Sequence, residues 1–210
     1  AVADGHRGFE AAEVALEHLR EHPAPHWTAR DGVAPGRWRR HALAALADAN
    51  AAILDEGPAA GEARARTTLT LGLALPEAQL LLFACIGDSL LFRVDASGAE
   101  ELAAPAEGTG FFLGHGPESP DSLEKKCRLG VTTLGDARAL VAVTDGLSER
   151  HVGVDDPPSV VAEAARRAAT APPALCPGTL ARTLCECALR AHRRNPSGDN
   201  VAAAVLWLAP

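Results

Sequence analysis

The stretch from Thr67 to Val94 restricts the possible folds most. It holds three apolar segments of strand length: Thr67-Thr68-Leu69-Thr70-Leu71-Gly72-Leu73-Ala74-Leu75, then Gln79-Leu80-Leu81-Leu82-Phe83-Ala84-Cys85-Ile86, then Leu90-Leu91-Phe92-Arg93-Val94. The first alternates and contains β-branched residues, while the second is a continuous apolar run short enough for a buried strand. Pro76-Glu77-Ala78 between them reads as a turn, so the pair is expected as a hairpin. Gly87-Asp88-Ser89 interrupts the apolar sequence before Leu90 to Val94 resumes it, and Asp95-Ala96-Ser97-Gly98 closes another turn.

Helical patterns lie on both sides of this block. Residues 8–21 place Phe9, Ala12, Val14, Leu16 and Leu19 mainly on one side and Glu10, Glu13, Glu17 and Arg20 outward, the pattern of an amphipathic helix. Pro23, Pro25 and Asp31-Gly32 suggest a loop, and a second helix is expected from about Trp38 to Leu54, carrying Leu43, Leu46, Ala47, Ala49 and Ile53 and ended by Gly57-Pro58. Pro105 to Ser122 is rich in Gly, Pro and acidic residues and reads as an irregular loop. Arg128 to Leu134 and Ala139 to Thr144 flank Gly135-Asp136 in a second hairpin pattern. Helices follow at Pro157–Ala169 and Gly178–Arg194, and Val201 to Leu208 is the last strand. This order argues for an α+β fold: a four-layer αββα sandwich of two mostly antiparallel central sheets flanked by helix pairs, in a single domain over residues 1–210.

Composition narrows the function classes. Hydrophobic residues make up 47% and charged residues 22%, with no apolar run approaching the roughly eighteen residues of a membrane span. The net charge of −7 disfavours nucleic acid as a partner, since non-specific binding needs Lys and Arg to neutralise phosphates, and it leaves carboxylates for cations. The basic run Arg37-Trp38-Arg39-Arg40 reads as the solvated face of a helix. Cys85, Cys127, Cys176, Cys185 and Cys187 lack the paired spacing of metal sites and fit a reducing, cytoplasmic location.

Four aspartates share one setting, a strand end with a small residue or glycine alongside: Asp4 after Ala1-Val2-Ala3, Asp88 after Ala84-Cys85-Ile86-Gly87, Asp145 after Val141-Ala142-Val143-Thr144, and Asp199 before Asn200-Val201. Strand ends far apart in sequence meet in space, and carboxylates crowded there are tolerated with hard cations among them. Asp-Gly pairs serve equally well as plain turns. The residues alone leave both readings open.

Asp4-Gly5-His6-Arg7-Gly8, Gly87-Asp88-Ser89, Thr144-Asp145-Gly146-Leu147-Ser148-Glu149 and Asp199-Asn200-Val201, in this order and at this spacing, resemble the type-2C family of metal-dependent Ser/Thr protein phosphatases. The resemblance implies two Mn2+ or Mg2+ ions, with a third in some members, and hydrolysis of phosphoserine and phosphothreonine in proteins by a metal-bridged water. It implies Asp4 as the bridging ligand, Gly5 as a carbonyl ligand, Asp145 and Asp199 as ligands completing one ion's shell, and Asp88 with Asp145 at the third ion. His6 matches a position proposed to protonate the leaving alkoxide, with a solvated loop histidine as the alternative, and Arg7 is either a phosphate-docking or a plain surface residue. Phosphoproteins are the implied substrates and a cognate Ser/Thr kinase the implied partner, in signalling.

The family carries an Arg and a Glu-Asp pair upstream of the first motif. With no Met in the sequence and a strand end at its start, the N-terminal strands are expected to lie outside it. Leu90 stands where an Arg often follows the Gly-Asp-Ser run, Arg66 where a Gly is common, and the segment from Pro105 to Ser122 is short for a full flap. The alternative reading is a pseudophosphatase, a binding module for phosphoproteins or a kinase, and a third is a hydrolase of small phosphoesters. Retention of Asp4, Asp145 and Asp199 favours the enzyme.

Overall fold

The computed structural model describes residues 1–22, 35–56, 65–103, 111–194 and 198–208. The loop expected at Pro23 to Gly32 and the Gly57-Pro58 helix stop lie outside them. The chain gathers into two compact units, one from residues 3–89 and 105–135, the other from 90–104 and 136–210.

In the first unit, β1 (Gly5–His6) leads into α1 (Glu10–Glu21) and then α2 (Pro35–Glu56). β2 (Arg66–Thr67), β3 (Leu69–Leu75) and β4 (Leu80–Ile86) follow, with a 3-10 turn at Pro76–Ala78 between the last two. β3 and β4 form the expected hairpin, from Leu69 opposite Ile86 to Leu75 opposite Leu80. The stripe that α1 buries is Ala11, Ala12, Ala15 and Leu19, whereas Phe9 and Leu16, expected inside, are exposed. Ala11, Ala15 and Leu19 recur every four residues on the side facing α2, and small side chains there let the helices approach closely. On α2, Trp38, Ala42, Leu43, Leu46, Ala49 and Ile53 are buried, and the Trp38 indole N–H donates to the Phe83 carbonyl at 3.3 Å. Arg37, Arg39 and Arg40 are exposed, as expected for a solvated face.

The described part of the loop expected at Pro105 to Ser122 is anchored. The Asn50 carboxamide accepts from Gly114 N at 2.8 Å and donates to the Gly116 carbonyl at 2.9 Å, and Leu113 bridges to Thr67. Its end is helical rather than irregular: α3 (Pro120–Glu124) is closed by reciprocal hydrogen bonds between Ser119 and Ser122.

The second unit contains β5 (Leu90–Val94) and β6 (Ala99–Glu101). β7 (Arg128–Thr133), in the first unit, pairs with β4, and β8 (Ala139–Val143), in the second, pairs with β5. The expected hairpin of these two strands is therefore not formed. The backbone shows why: Leu134 N donates to Gln79 O, extending the pairing with β4, and Arg138 N donates to Val94 O, starting the pairing with β5. Gly135, at φ 55°, turns the chain out of one sheet and into the other.

α4 (Pro157–Ala168), α5 (Cys176–His192) and β9 (Ala203–Trp207) complete the unit. Its sheet order is β6-β5-β8-β9, all antiparallel. β8 lies between two partners and all five of its residues are buried, which is why Ala139-Leu140-Val141-Ala142-Val143 is uninterrupted apolar sequence. Val161, Ala164 and Ala168 of α4 and Leu180, Leu184 and Ala188 of α5 pack into the same core as Phe92, Val141 and Val143. The α+β class and the antiparallel sheets are as expected. Among the described residues no helix is long and apolar enough to cross a membrane, and the five cysteines are free thiols.

Candidate metal centre

β8 is too apolar and too buried to hold a charge, so the first place its direction can present a carboxylate is just past its end. Asp145 stands there, half-buried, at the start of a 3-10 turn over Asp145–Leu147. The Asp145 carbonyl accepts from Ser148 N at 2.7 Å and from Glu149 N at 2.5 Å. These bonds curl the chain back and bring Glu149 to the side of Asp145. The segment entering β9 is tied to the same strand end: Thr144 N donates to Ala202 O at 3.0 Å, and Ala202 N donates to Thr144 Oγ1 at 3.0 Å.

Gly146 makes the close approach possible. A Cβ at that position would lie 2.0 Å from the Asn200 carbonyl oxygen, so the backbone of Asn200 sits where any side chain would be. Asp199 is thereby set beside Asp145. One oxygen from each of Asp145, Glu149 and Asp199 falls within 4.8 Å of the others. Glu149 and Asp199 are exposed, so the group opens to solvent.

The donor set fits a hard divalent cation. All three ligands are carboxylate oxygens, the type that Mg2+, Ca2+ and Mn2+ take, with no soft sulfur or imidazole among them. Two oxygens on one ion lie at most two bond lengths apart, roughly 4.2 Å for Mg2+ and up to about 5.2 Å for Ca2+. A spacing of up to 4.8 Å meets the larger of these limits, and the smaller one needs the exposed Glu149 and Asp199 to close in by up to about 0.6 Å. Like charges at this spacing repel, and a cation between them reverses the sign of that term.

Asp4, Gly5, His6, Arg7 and Asp88 belong to the first unit. Asp4 is half-buried and its backbone is held at both ends: Asp4 N donates to Thr68 Oγ1 at 2.9 Å, and Asp4 O accepts from Thr68 N and from Thr67 Oγ1, each at 2.9 Å. Gly5 has no room for a side chain, since its Cβ would lie 2.2 Å from the Gly8 carbonyl oxygen. His6 is exposed and lies flat on Phe112, with ring centroids 5.1 Å apart and planes 15° from parallel. Arg7 is exposed with a left-handed backbone, φ 68°. Asp88 follows Gly87, whose φ of 93° and contact with Thr68 exclude a side chain. The Ser89 hydroxyl, fully buried, shares a 2.9 Å hydrogen bond with Thr68 Oγ1. Thr68 thus links the strand end that carries Asp4 to the turn that carries Asp88.

Two residues of the second unit's group were not predicted from the sequence. Glu149 is one, although it stands in the quoted motif; its signal is a carboxylate four residues after Asp145 in a turn that closes on itself. His192 is the other. It is buried at the end of α5, and its Nε2 donates to the Gly146 carbonyl at 2.6 Å. Its signal is a histidine ending the buried stripe Cys176, Leu180, Leu184, Ala188, His192, each four residues from the last.

No family model matches this sequence, and no curated protein matches it. Solved structures do. The PPM Ser-Thr phosphatase MsPP from Mycobacterium smegmatis is 24% identical, with a TM-score of 0.63 over 99% of this chain and 86% of that one. The Ser/Thr phosphatase Stp1 from Staphylococcus aureus is 16% identical, with a TM-score of 0.65 over 99% of this chain and 82% of that one. The Ser/Thr phosphatase PstP/Ppp of Mycobacterium tuberculosis is 20% identical, with a TM-score of 0.61 over 97% and 85%. At these identities the likeness establishes the fold, which is that of the type-2C, or PPM, phosphatases.

Proposed function

We propose that this chain, with its type-2C fold, hydrolyses phosphoserine and phosphothreonine esters in proteins using a hard divalent cation, Mn2+ or Mg2+. The observation that carries the reading is the group of three carboxylates at the end of a buried strand, in a fold known from Ser/Thr phosphatases. Asp145, Asp199 and Glu149 would hold one ion, and Asp4, the Gly5 carbonyl and Asp88 are proposed as ligands of further ions. An ion held by these residues would supply a lowered pKa for water and an offset to charge on the phosphoryl oxygens.

The chain's own residues have separate tasks. The backbone of Asp145 is fixed by the turn that its own carbonyl closes, which holds the stem of its carboxylate in one place. His6 is the proposed proton donor to the leaving serine or threonine oxygen, and its stack on Phe112 limits how the exposed ring can turn. Arg7 is the proposed docking residue for the phosphate, through its guanidinium. Phosphoproteins are the proposed substrates, with a Ser/Thr kinase as the opposing partner and the cytoplasm as the location. The retained carboxylates favour this reading over a non-catalytic binding module.

The test is phosphate release from a phosphothreonine peptide, with Mn2+ and with EDTA, by the wild type and by Asp145→Asn. Release that needs Mn2+ and vanishes in the variant supports the proposal. Release unaffected by EDTA, or none by the wild type on any phosphopeptide, contradicts it. Turnover of a small aryl phosphate without phosphopeptides would instead favour the small-ester hydrolase.

A further inference from the structure

We infer that His192 is a positioning residue for the metal centre: its Nε2–H fixes the Gly146 carbonyl and so sets the distance between the carboxylates of Asp145 and Asp199. The inference rests on the metal-dependent reading above. The geometry is specific. A carbonyl oxygen only accepts, so at 2.6 Å Nε2 must carry the proton and donate it. The acceptor belongs to the residue immediately after Asp145, in the turn that also brings round Glu149. The same residue abuts the Asn200 carbonyl, next to Asp199. One hydrogen bond therefore acts on the peptide from which all three carboxylates take their mutual placement.

The element behind His192 is stiff. Cys176, Leu180, Leu184 and Ala188 bury one face of α5, and His192 continues that row at its last turn. The helix is held by the core of the unit, through Leu180, Leu184 and Ala188 packed among Val141, Val143 and Leu147. Leu147 ends the 3-10 turn itself, so α5 meets the turn with both an apolar contact and a hydrogen bond. A buried histidine on an apolar face is more often a core residue than a functional one. Here the partner it has found is the turn of the carboxylate group.

The reach of the side chain provides the test. The carboxamide nitrogen of glutamine stands about where Nε2 does, and that of asparagine about where Nδ1 does, so Gln keeps the donor in place and Asn withdraws it. Mn2+ is titrated calorimetrically into the metal-free full chain as wild type, His192→Gln, His192→Asn and His192→Phe, with thermal melts of each. Outer residues that orient a metal site typically change affinity by about 10- to 100-fold. The expected result is His192→Gln within roughly 3-fold of wild type in affinity and close to it in melting temperature, and His192→Asn about 10-fold weaker with a lower melting temperature, since it leaves the buried Gly146 carbonyl without its donor. His192→Phe, which keeps bulk and loses the donor, is expected to follow Asn; if it fails to fold, the Gln and Asn pair decides. Equal Mn2+ affinity in the wild type, Gln and Asn overturns the inference and leaves the metal centre standing. Equal weakening in Gln and Asn, in step with melting temperature, overturns it in favour of packing. A wild type that takes up no Mn2+ overturns the metal reading itself, and this inference with it.

Discussion

Gly146→Ala adds a single methyl group, and the structure fixes what that group meets. Its Cβ would lie 2.0 Å from the Asn200 oxygen and 2.9 Å from the Asn200 carbonyl carbon, where ordinary contact begins at 3.4 Å, so the shortfall to the oxygen is 1.4 Å. Both atoms are backbone, and no rotamer change relieves the clash. The φ of Gly146 is not left-handed, so alanine can adopt the local conformation, and the overlap alone drives the effect. Either the Asp199-Asn200 segment moves outward by more than an ångström or the Asp145 turn opens. Overpacking of this kind costs about 1–3 kcal/mol of stability. A displacement near 1 Å of a site residue costs about 10²-fold in turnover. Calorimetric Mn2+ titration, a thermal melt and phosphopeptide hydrolysis measure the three consequences. Gly178→Ala, a glycine in α5 whose added Cβ meets nothing within 4 Å, is the control and should behave as wild type. Wild-type Mn2+ affinity and melting temperature in Gly146→Ala would refute the claim that close approach at this glycine builds the group.

His6→Ala should slow turnover by about 10²-fold or more and leave Mn2+ affinity unchanged, as loss of a general acid does; an unaltered pH–rate profile would count against the role. Thr68→Val keeps the shape but strips the partner from Asp4 N–H and from the buried Ser89 hydroxyl, which should cost about 2 kcal/mol in urea unfolding; a loss within error would show that water replaces the bonds. Burial pushes the Cys85 and Cys127 thiols up to about 11. Iodoacetamide at pH 8 should therefore label both slowly in the folded chain and quickly in urea; rapid native labelling of Cys85 by mass spectrometry would contradict its burial.

What the sequence made legible was mostly local. The β3–β4 hairpin could be read because Pro76-Glu77-Ala78 lies between two strand-length runs, and both turn and partner sit within one window. β7 and β8 could not be read in the same way, although Gly135-Asp136 marks a turn. Their partners, β4 and β5, lie roughly fifty residues back along the chain, and a turn signal says only that the chain changes direction. Around α1, hydrophobicity places Phe9 and Leu16 inside, but the side packed with α2 carries the smaller Ala11 and Ala15.

The candidate site divides along the same line. Asp145 and Asp199 stand out in sequence because each adjoins an apolar strand, but that pattern alone suits a plain turn equally well, and only the packing shows the two side by side. Glu149 stands out less, because its position depends on a 3-10 turn closing on the Asp145 carbonyl. His192 shows in sequence only as the end of an apolar stripe, and its acceptor lies 46 residues away. Gly146 stood in the motif, but its reason for being glycine, the Asn200 carbonyl, comes only with the packing.

The most direct measurement of the central claim is an anomalous difference map from crystals of this chain soaked in Mn2+. The account predicts a peak in contact with the carboxylates of both Asp145 and Asp199, at bond lengths of roughly 2.1 Å. Crystals saturated with Mn2+ that show no peak there, with the two side chains turned away from each other, would contradict it.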